Sequence, residues 1–227
     1  MVILMRIMIF TDFRNFCASL QSLTPPRIEH ISGFSDFILD YVNNKLQWNK
    51  YTPRIIRHYV YDGEYTTKLI TRIKKDLEMA HASSASYELA AQQLLDKSAR
   101  RQTAQQDFMK RANSFDFLEL KYKPLQYQNG RVFQKGVDVQ LAVDLVSHAY
   151  LNSYDVAIIC SGDVDLIESI KLVKNLGKKV IVASCPEQTS TETFKACDHY
   201  INFTKLMQPH LDKISKIARA SRNNGTP

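Results

Sequence analysis

Aspartates occupy three places in the 227-residue chain where an α/β sheet would bring them together. Asp12 closes the apolar run MRIMIFT (5–11). Asp163 and Asp165 lie in the turn SGDVD (161–165), directly after the run DVAIIC (155–160), and Asp138 opens the amphipathic stretch DVQLAVDLVSHAY (138–150). Ligands of open parallel sheets bind beyond the carboxyl ends of the strands. A helix leading back to a parallel strand starts on that same edge, so four carboxylates from three segments are expected there. Clustered carboxylates repel one another unless a cation or a proton relieves them. Hard divalent cations such as Mg²⁺ or Mn²⁺ take oxygen ligands. A cation held by a few carboxylates can activate water and stabilise the entering and leaving oxygens of a phosphodiester. Each acid also has a plainer role open to it. Asp12 and Asp163 could cap helices, Asp138 could answer a helix dipole, and Asp165 could be a solvated helix residue. The convergence, rather than any single acid, points to a metal site. Asp144 lies about 240° around the helix from Asp138 and reads as a structural partner.

The elements that would carry these acids follow from periodicity. Runs apolar on both faces suit central parallel strands, expected at 5–11, 54–61, 117–125, 155–160, 179–183 and 199–203. Helices are expected at 33–47, with Ser35 as N-cap, and at 138–150, 165–176 and 190–196, with a polar turn at Asn129-Gly130. Strands alternating with helices at this spacing predict an α/β sandwich with a mostly parallel sheet and helices on both faces. Residues 66–112 differ in character. Leu69, Ile70, Ile73, Leu77 and Ala80 form one helical stripe, Ser83-Ser84 interrupt it, and 86–111 is rich in Ala, Gln, Lys and Arg. The segment reads as an inserted helical hairpin. It carries nine Lys and Arg against five Asp and Glu, so it holds over half of the chain's +7 excess. One domain over 1–208 and a basic tail over 209–227 are expected.

Composition narrows the classes. Hydrophobic residues at 44% and charged residues at 23% are ordinary for a globular chain and exclude wholesale disorder. Glycines are too sparse and badly spaced for a dinucleotide fingerprint or a P-loop. Cys17, Cys160, Cys185 and Cys197 form no CxxC pair, which argues against a zinc ribbon and for reduced thiols in a cytoplasmic protein. No apolar run reaches the ~18 residues of a membrane span, so no membrane partner is expected. The six histidines are scattered, with no metal-binding spacing. A Cys185–His199 nucleophile pair lacks a third group, and His148 reads as helix surface.

On the stretches IFTDFRN (9–15), KGVDVQLAVDL (135–145), DVAIICSGDVDLIESI (155–170), KKVIVAS (178–184) and FKACDHYINF (194–203), the chain resembles the NYN-domain family, in its LabA-like branch of the PIN-like nucleases. The resemblance covers about two thirds of the sequence. It implies a Rossmann-like PIN fold with sheet order 3-2-1-4-5 and a metal-dependent ribonuclease leaving a 5′-phosphate and a 3′-hydroxyl. It further implies Mg²⁺ or Mn²⁺ as cofactor and single-stranded RNA as partner. Asp12, Asp138 and Asp163 would be the principal ligands, with Asp165 ligating directly or through water. Asn15 would orient Asp12 or a water, and Ser161 would hydrogen-bond a carboxylate or a phosphate. Asp198, in a shared stretch, would be structural or would support a ligand from behind, without ligating itself. Two departures stand out: Arg14, which could bind phosphate or pair with Asp165, and the long 66–112 hairpin. An additional acid on an early helix is common in PIN relatives, and Asp36 and Asp40 qualify by position.

Lys97, Arg100 and Arg101 share roughly one helix face, with Lys110 and Arg111 further along. Beside the acidic edge they could hold phosphates; the plainer alternative is a solvated face. The Leu69/Ile73/Leu77 stripe could instead pack against a second subunit, making a homo-oligomer. Tyr122, Tyr127, Arg131 and Phe133 could stack bases or lie in the core. A non-catalytic RNA- or protein-binding regulatory module keeping the fold, and a small-substrate phosphatase or nucleotidase, are the other readings such an edge allows.

Overall fold

A computed structural model describes residues 3–21, 28–46, 50–80 and 85–208. The expected basic tail over 209–227 and the Ser83-Ser84 interruption lie outside the described residues. In chain order the strands of the main sheet are β1 (Ile3–Asp12), β2 (Tyr51–Glu64), β3 (Leu118–Pro124), β6 (Val156–Cys160), β7 (Lys179–Ser184) and β8 (His199–Asn202); β4 (Gln126–Gln128) and β5 (Arg131–Phe133) form a separate antiparallel hairpin. The helices are α1 (Phe13–Gln21), α2 (Ile28–Lys45), α3 (Thr67–Ala80), α4 (Ala85–Ala112), α5 (Val137–Tyr150), α6 (Ile167–Asn175) and α7 (Thr191–Ala196).

The sheet runs β3-β2-β1-β6-β7-β8, and every neighbouring pair is parallel. The expected five-strand order therefore holds and is extended. β8 adds a sixth strand at the edge, pairing Ile181–Ser184 of β7 with His199–Asn202 in register. The period-2 alternation of a strand explains the apolar runs. In β1, Ile7 and Ile9 enter a core built with Phe16 of α1 and Ile31, Phe34, Ile38 and Val42 of α2. Met8 and Phe10, on the other face, enter a second core with Leu141 and Leu145 of α5 and Ile170 and Val173 of α6. Each core strand is thus buried on both faces, as parallel sheets require.

Two local readings need correction. α2 begins at Ile28, well before Ser35, so Ser35 does not cap it. Its hydroxyl instead meets His58 Nδ1 at 2.9 Å, and His58 Nε2 meets Thr11 Oγ1 at 2.8 Å. A polar bridge between α2, β2 and β1 replaces the cap. His148 is not plain surface: its ring stacks on Tyr59 at 5.3 Å.

The segment 66–112 is the helical hairpin α3–α4, lying between β2 and β3. Its apolar stripe is covered within the chain. Leu69 and Ile73 are buried with Tyr127 against Leu94 and Leu95 of α4, and Leu77 packs on Ala91. The stripe expected to serve a second subunit is therefore occupied, because α4 and the β4–β5 hairpin already supply its apolar partners. The far end of α4 packs back on the main domain, where Phe108 meets Phe13 at 5.2 Å between ring centroids. That contact swings the basic face of α4 toward the start of α1.

Candidate functional site

The strand order reverses between β1 and β6, because β2 and β3 lie to one side of β1 and β6 to the other. The loops leaving these two strands diverge and open a crevice at their carboxyl ends. Asp12, Asp138 and Asp163 line a recess there of about 370 Å³, with Arg14, Asn15, Gln134 and Gln188. Three segments far apart in sequence thus meet at one place.

Local geometry holds each acid. Asp12 is 4% exposed. Its Oδ1 accepts the backbone N–H groups of Arg14 (2.9 Å) and Asn15 (3.2 Å), and its Oδ2 accepts Asn15 Nδ2 (2.8 Å). It therefore caps α1 and is oriented by Asn15 as well. Asp163 caps the 3-10 turn Val164–Leu166 by accepting Asp165 N at 3.0 Å. A carboxylate has about four lone-pair sites, so capping leaves acceptor capacity on both. Asp138 enters α5 two residues after Gly136, whose φ of 80° favours glycine. Gly162 is needed for closeness: a Cβ there would stand 2.4 Å from the carbonyl oxygen of Gln188.

The electrostatics are those of an unrelieved anionic site. Burial raises the Asp12 pKa, opposed by the Asn15 and Arg14 hydrogen bonds, and Asp163 raises it further. Burial likewise raises Asp138, followed by repulsion from Asp12 and Asp163 and then Asp165. Among the described residues, the ion pairs involve none of these four acids. An all-oxygen, uncompensated donor set fits a hard divalent cation. As the side chains lie, no group of three or more His, Cys, Asp or Glu among the described residues is drawn together closely enough to hold a metal ion. The donors fit in kind and would have to close inward to ligate together.

The other expected site residues divide. Asp165 is exposed and lies over the adjoining α5–α6 groove with Asp138, outside the recess. Ser161 is 2% exposed and its Oγ accepts Asp163 N at 3.3 Å, so it shapes the turn that carries Asp163. Arg14 forms no ion pair with Asp165; it is exposed at the rim of the recess. Asp36 and Asp40 are exposed on α2, Asp40 accepting Asn44, and neither joins the acids. Asp144 accepts the Tyr61 hydroxyl at 3.0 Å, and Asp198 accepts Val180 N at 2.8 Å and pairs with Lys174, both structural as expected.

Beside the recess lies a cavity of about 710 Å³ that shares Arg14, Ala18 and Gln134 with it. Lys97, Arg101 and Arg111 of α4 line it, as do Tyr122 and Phe133; Arg100 does not. Arg101 donates to the Tyr65 hydroxyl at 2.8 Å and stands over that ring. Tyr127 is core, bonded to Asp76, and Arg131 is exposed on the hairpin outside the cavity.

The sequence profile of the NYN domain matches residues 6–208. The chain belongs to the NYN family. NYN domains are part of the PIN-like nuclease superfamily, and the family consists in general of ribonucleases. No curated protein matches the chain. Among solved structures, a protein of unknown function from Vibrio parahaemolyticus is similar in fold. It is 17% identical, with a TM-score of 0.50, over 87% of this chain and 92% of that one. No helix among the described residues of this NYN protein is long and apolar enough to cross a membrane.

One residue of the NYN site escaped the sequence reading. In the sequence, Asp62-Gly63 reads as a turn closing the run 54–61. β2 instead runs on to Glu64, because Asp62 to Glu64 pair with Tyr122 to Pro124 of β3. Asp12 is in register with Tyr61, so Asp62 emerges beside it. Burial pushes the Asp62 pKa up to about 6; hydrogen bonds from Gly63 and Gln105 oppose the rise, and Asp12 adds to it. An acid at the end of an apolar strand was the available signal, the same one that exposed Asp12.

Proposed function

We propose that this NYN protein is a metal-dependent ribonuclease acting on single-stranded RNA, with Asp12, Asp138 and Asp163 holding Mg²⁺ or Mn²⁺ and Asp165 contributing from the adjoining groove. The observation that carries this reading is the meeting of three uncompensated aspartates in a recess continuous with a cavity lined by cations and aromatic rings. The ion, when bound, would supply Lewis acidity and activation of water at neutral pH. The chain's own residues do the rest. Asn15 fixes the rotamer of Asp12 through both oxygens. Gly136 and Gly162 let Asp138 and Asp163 approach. Arg14, at the junction of recess and cavity, meets the phosphate that enters the acids, and Lys97 and Arg101 hold neighbouring phosphates. Cleavage by water would leave a 5′-phosphate and a 3′-hydroxyl.

The test is incubation with end-labelled single-stranded RNA and Mn²⁺ or Mg²⁺, comparing wild type with Asp12→Asn/Asp163→Asn. Cleavage that survives the double substitution overturns the assignment. The spacing of the acids also favours a second reading, a binding module without turnover. It predicts RNA binding with no heat of Mn²⁺ association in a calorimetric titration.

A further inference from the structure

The cavity made by the α3–α4 hairpin differs in chemistry from the acid recess beside it. Its volume of about 710 Å³ falls in the range of small-ligand sites, ~300–1,000 Å³. Phe13, Phe108, Tyr122 and Phe133 supply rings around it. Because it shares Arg14 and Gln134 with the recess, a strand whose phosphate reaches the acids would lay its adjacent nucleotide here. Unstacked RNA bases are held on aromatic faces and read along their Watson–Crick edges.

Asp62 is the carboxylate lining this cavity, and it is firmly set. Its Oδ1 accepts Gly63 N at 2.7 Å and its Oδ2 accepts Gln105 Nε2 at 3.2 Å. Gln105 is itself committed, donating to Gly63 O at 2.9 Å and accepting Tyr65 N at 2.9 Å. With about four lone-pair sites on a carboxylate, one acceptor site remains on each oxygen of Asp62. Two adjacent acceptors without a donor match one base. Guanine presents N1–H and N2–H₂ side by side. Adenine and cytosine place a ring acceptor next to their amine, and uracil flanks its N3–H with two carbonyls.

We propose that the cavity is a guanine-selective subsite for the nucleotide next to the scissile phosphate, with Asp62 accepting from N1–H and N2–H₂ and the rings holding the base face. The inference deepens the ribonuclease reading, on which it rests for its RNA substrate, and makes Asp62 a specificity residue separate from the metal site.

The experiment is fluorescence anisotropy of the full chain in EDTA with a labelled uridine heptamer, and with the same heptamer carrying a central guanosine, inosine, adenosine or cytidine. The guanosine heptamer is expected to bind about tenfold tighter than the uridine one, with inosine, which lacks the N2 amine, between them. Asp62→Asn should erase the guanosine advantage and leave the uridine heptamer's affinity in place. If circular dichroism shows that variant unfolded, Gln105→Ala, which releases the carboxylate, must shrink the advantage. Equal affinities, no binding, or a guanosine preference that survives these substitutions overturns the subsite. Because no turnover is needed, guanosine-selective binding without Mn²⁺-dependent cleavage would sink only the nuclease reading. Cleavage without guanosine selectivity would sink only the subsite.

Discussion

The two ends of strand β1 hold acids of opposite kinds. At the amino end, Asp155 is neutralised by Arg6, which donates its backbone N (2.8 Å), Nε (3.1 Å) and Nη2 (2.7 Å). That arginine holds the Asp155 carboxyl below the usual range. At the carboxyl end, burial raises the pKa values of Asp12 and Asp138, Asp163 raises both further and Asp12 also raises Asp138, and among the described residues neither forms an ion pair. Both ends lie on the same sheet within one strand's length. A structural acid carries its counter-ion in the fold, whereas the acids in the recess are left for a charge from outside.

The largest effect should come from removing that waiting charge. Asp12→Asn/Asp163→Asn is expected to lower the rate of RNA cleavage at least ~10³-fold, since electrostatic stabilisation at the reacting phosphate is lost. Asp155→Asn should leave that rate near wild type, read in the same gel assay. Next, adding Mn²⁺ at one hundred times its Kd should stabilise wild type by about 2.7 kcal/mol, a Tm rise of roughly 5–10 °C. Asp138→Asn should blunt this rise, while Asp155→Asn should keep it. A smaller effect separates neighbours on α4. Arg101→Ala should reduce RNA affinity and flatten the salt dependence by about one phosphate contact. Arg100→Ala should do neither, because Arg100 does not line the cavity. The smallest effect is on stability against pH in EDTA. The lowered pKa of Asp155 contributes stability that is present above the ordinary carboxylate range and lost as pH falls. The raised pKa of Asp138 gives the opposite sign: its cost appears as pH rises through the raised value. At neutral pH, Asp155→Asn should therefore lower Tm and Asp138→Asn raise it. Each change should be about 1 kcal/mol, because both groups are partly solvated.

Much of the frame was legible in the residues. Strands buried on both faces wrote themselves as continuous apolar runs, and an acid at the end of such a run had to fall on the sheet's carboxyl edge. Asp12 and Asp163 were readable for that reason, and Asp138 because a helix return starts on the same edge. The burial of Ser161 was not legible because a turn serine looks the same in sequence whether it faces a ligand or its own backbone. Ser35 was misassigned because N-cap chemistry and a hydrogen bond to a buried histidine draw on the same hydroxyl. Asp62 was hidden because Asp-Gly is also a turn signal, and only pairing with β3 shows that the strand continues.

The sequence by itself determined the order of strands and helices and the edge on which the acids stand, since these follow from local periodicity and spacing; the family followed from the resemblance of whole stretches such as DVAIICSGDVDLIESI. The tertiary structure alone decided which acids share a recess, that Asp165 stands outside it, and that α4 packs so that Arg101, and not Arg100, lines the cavity. Those outcomes depend on strand register, on a few ångströms of backbone approach at Gly162, and on the Phe108–Phe13 contact. Each is a long-range packing event between segments far apart in the chain.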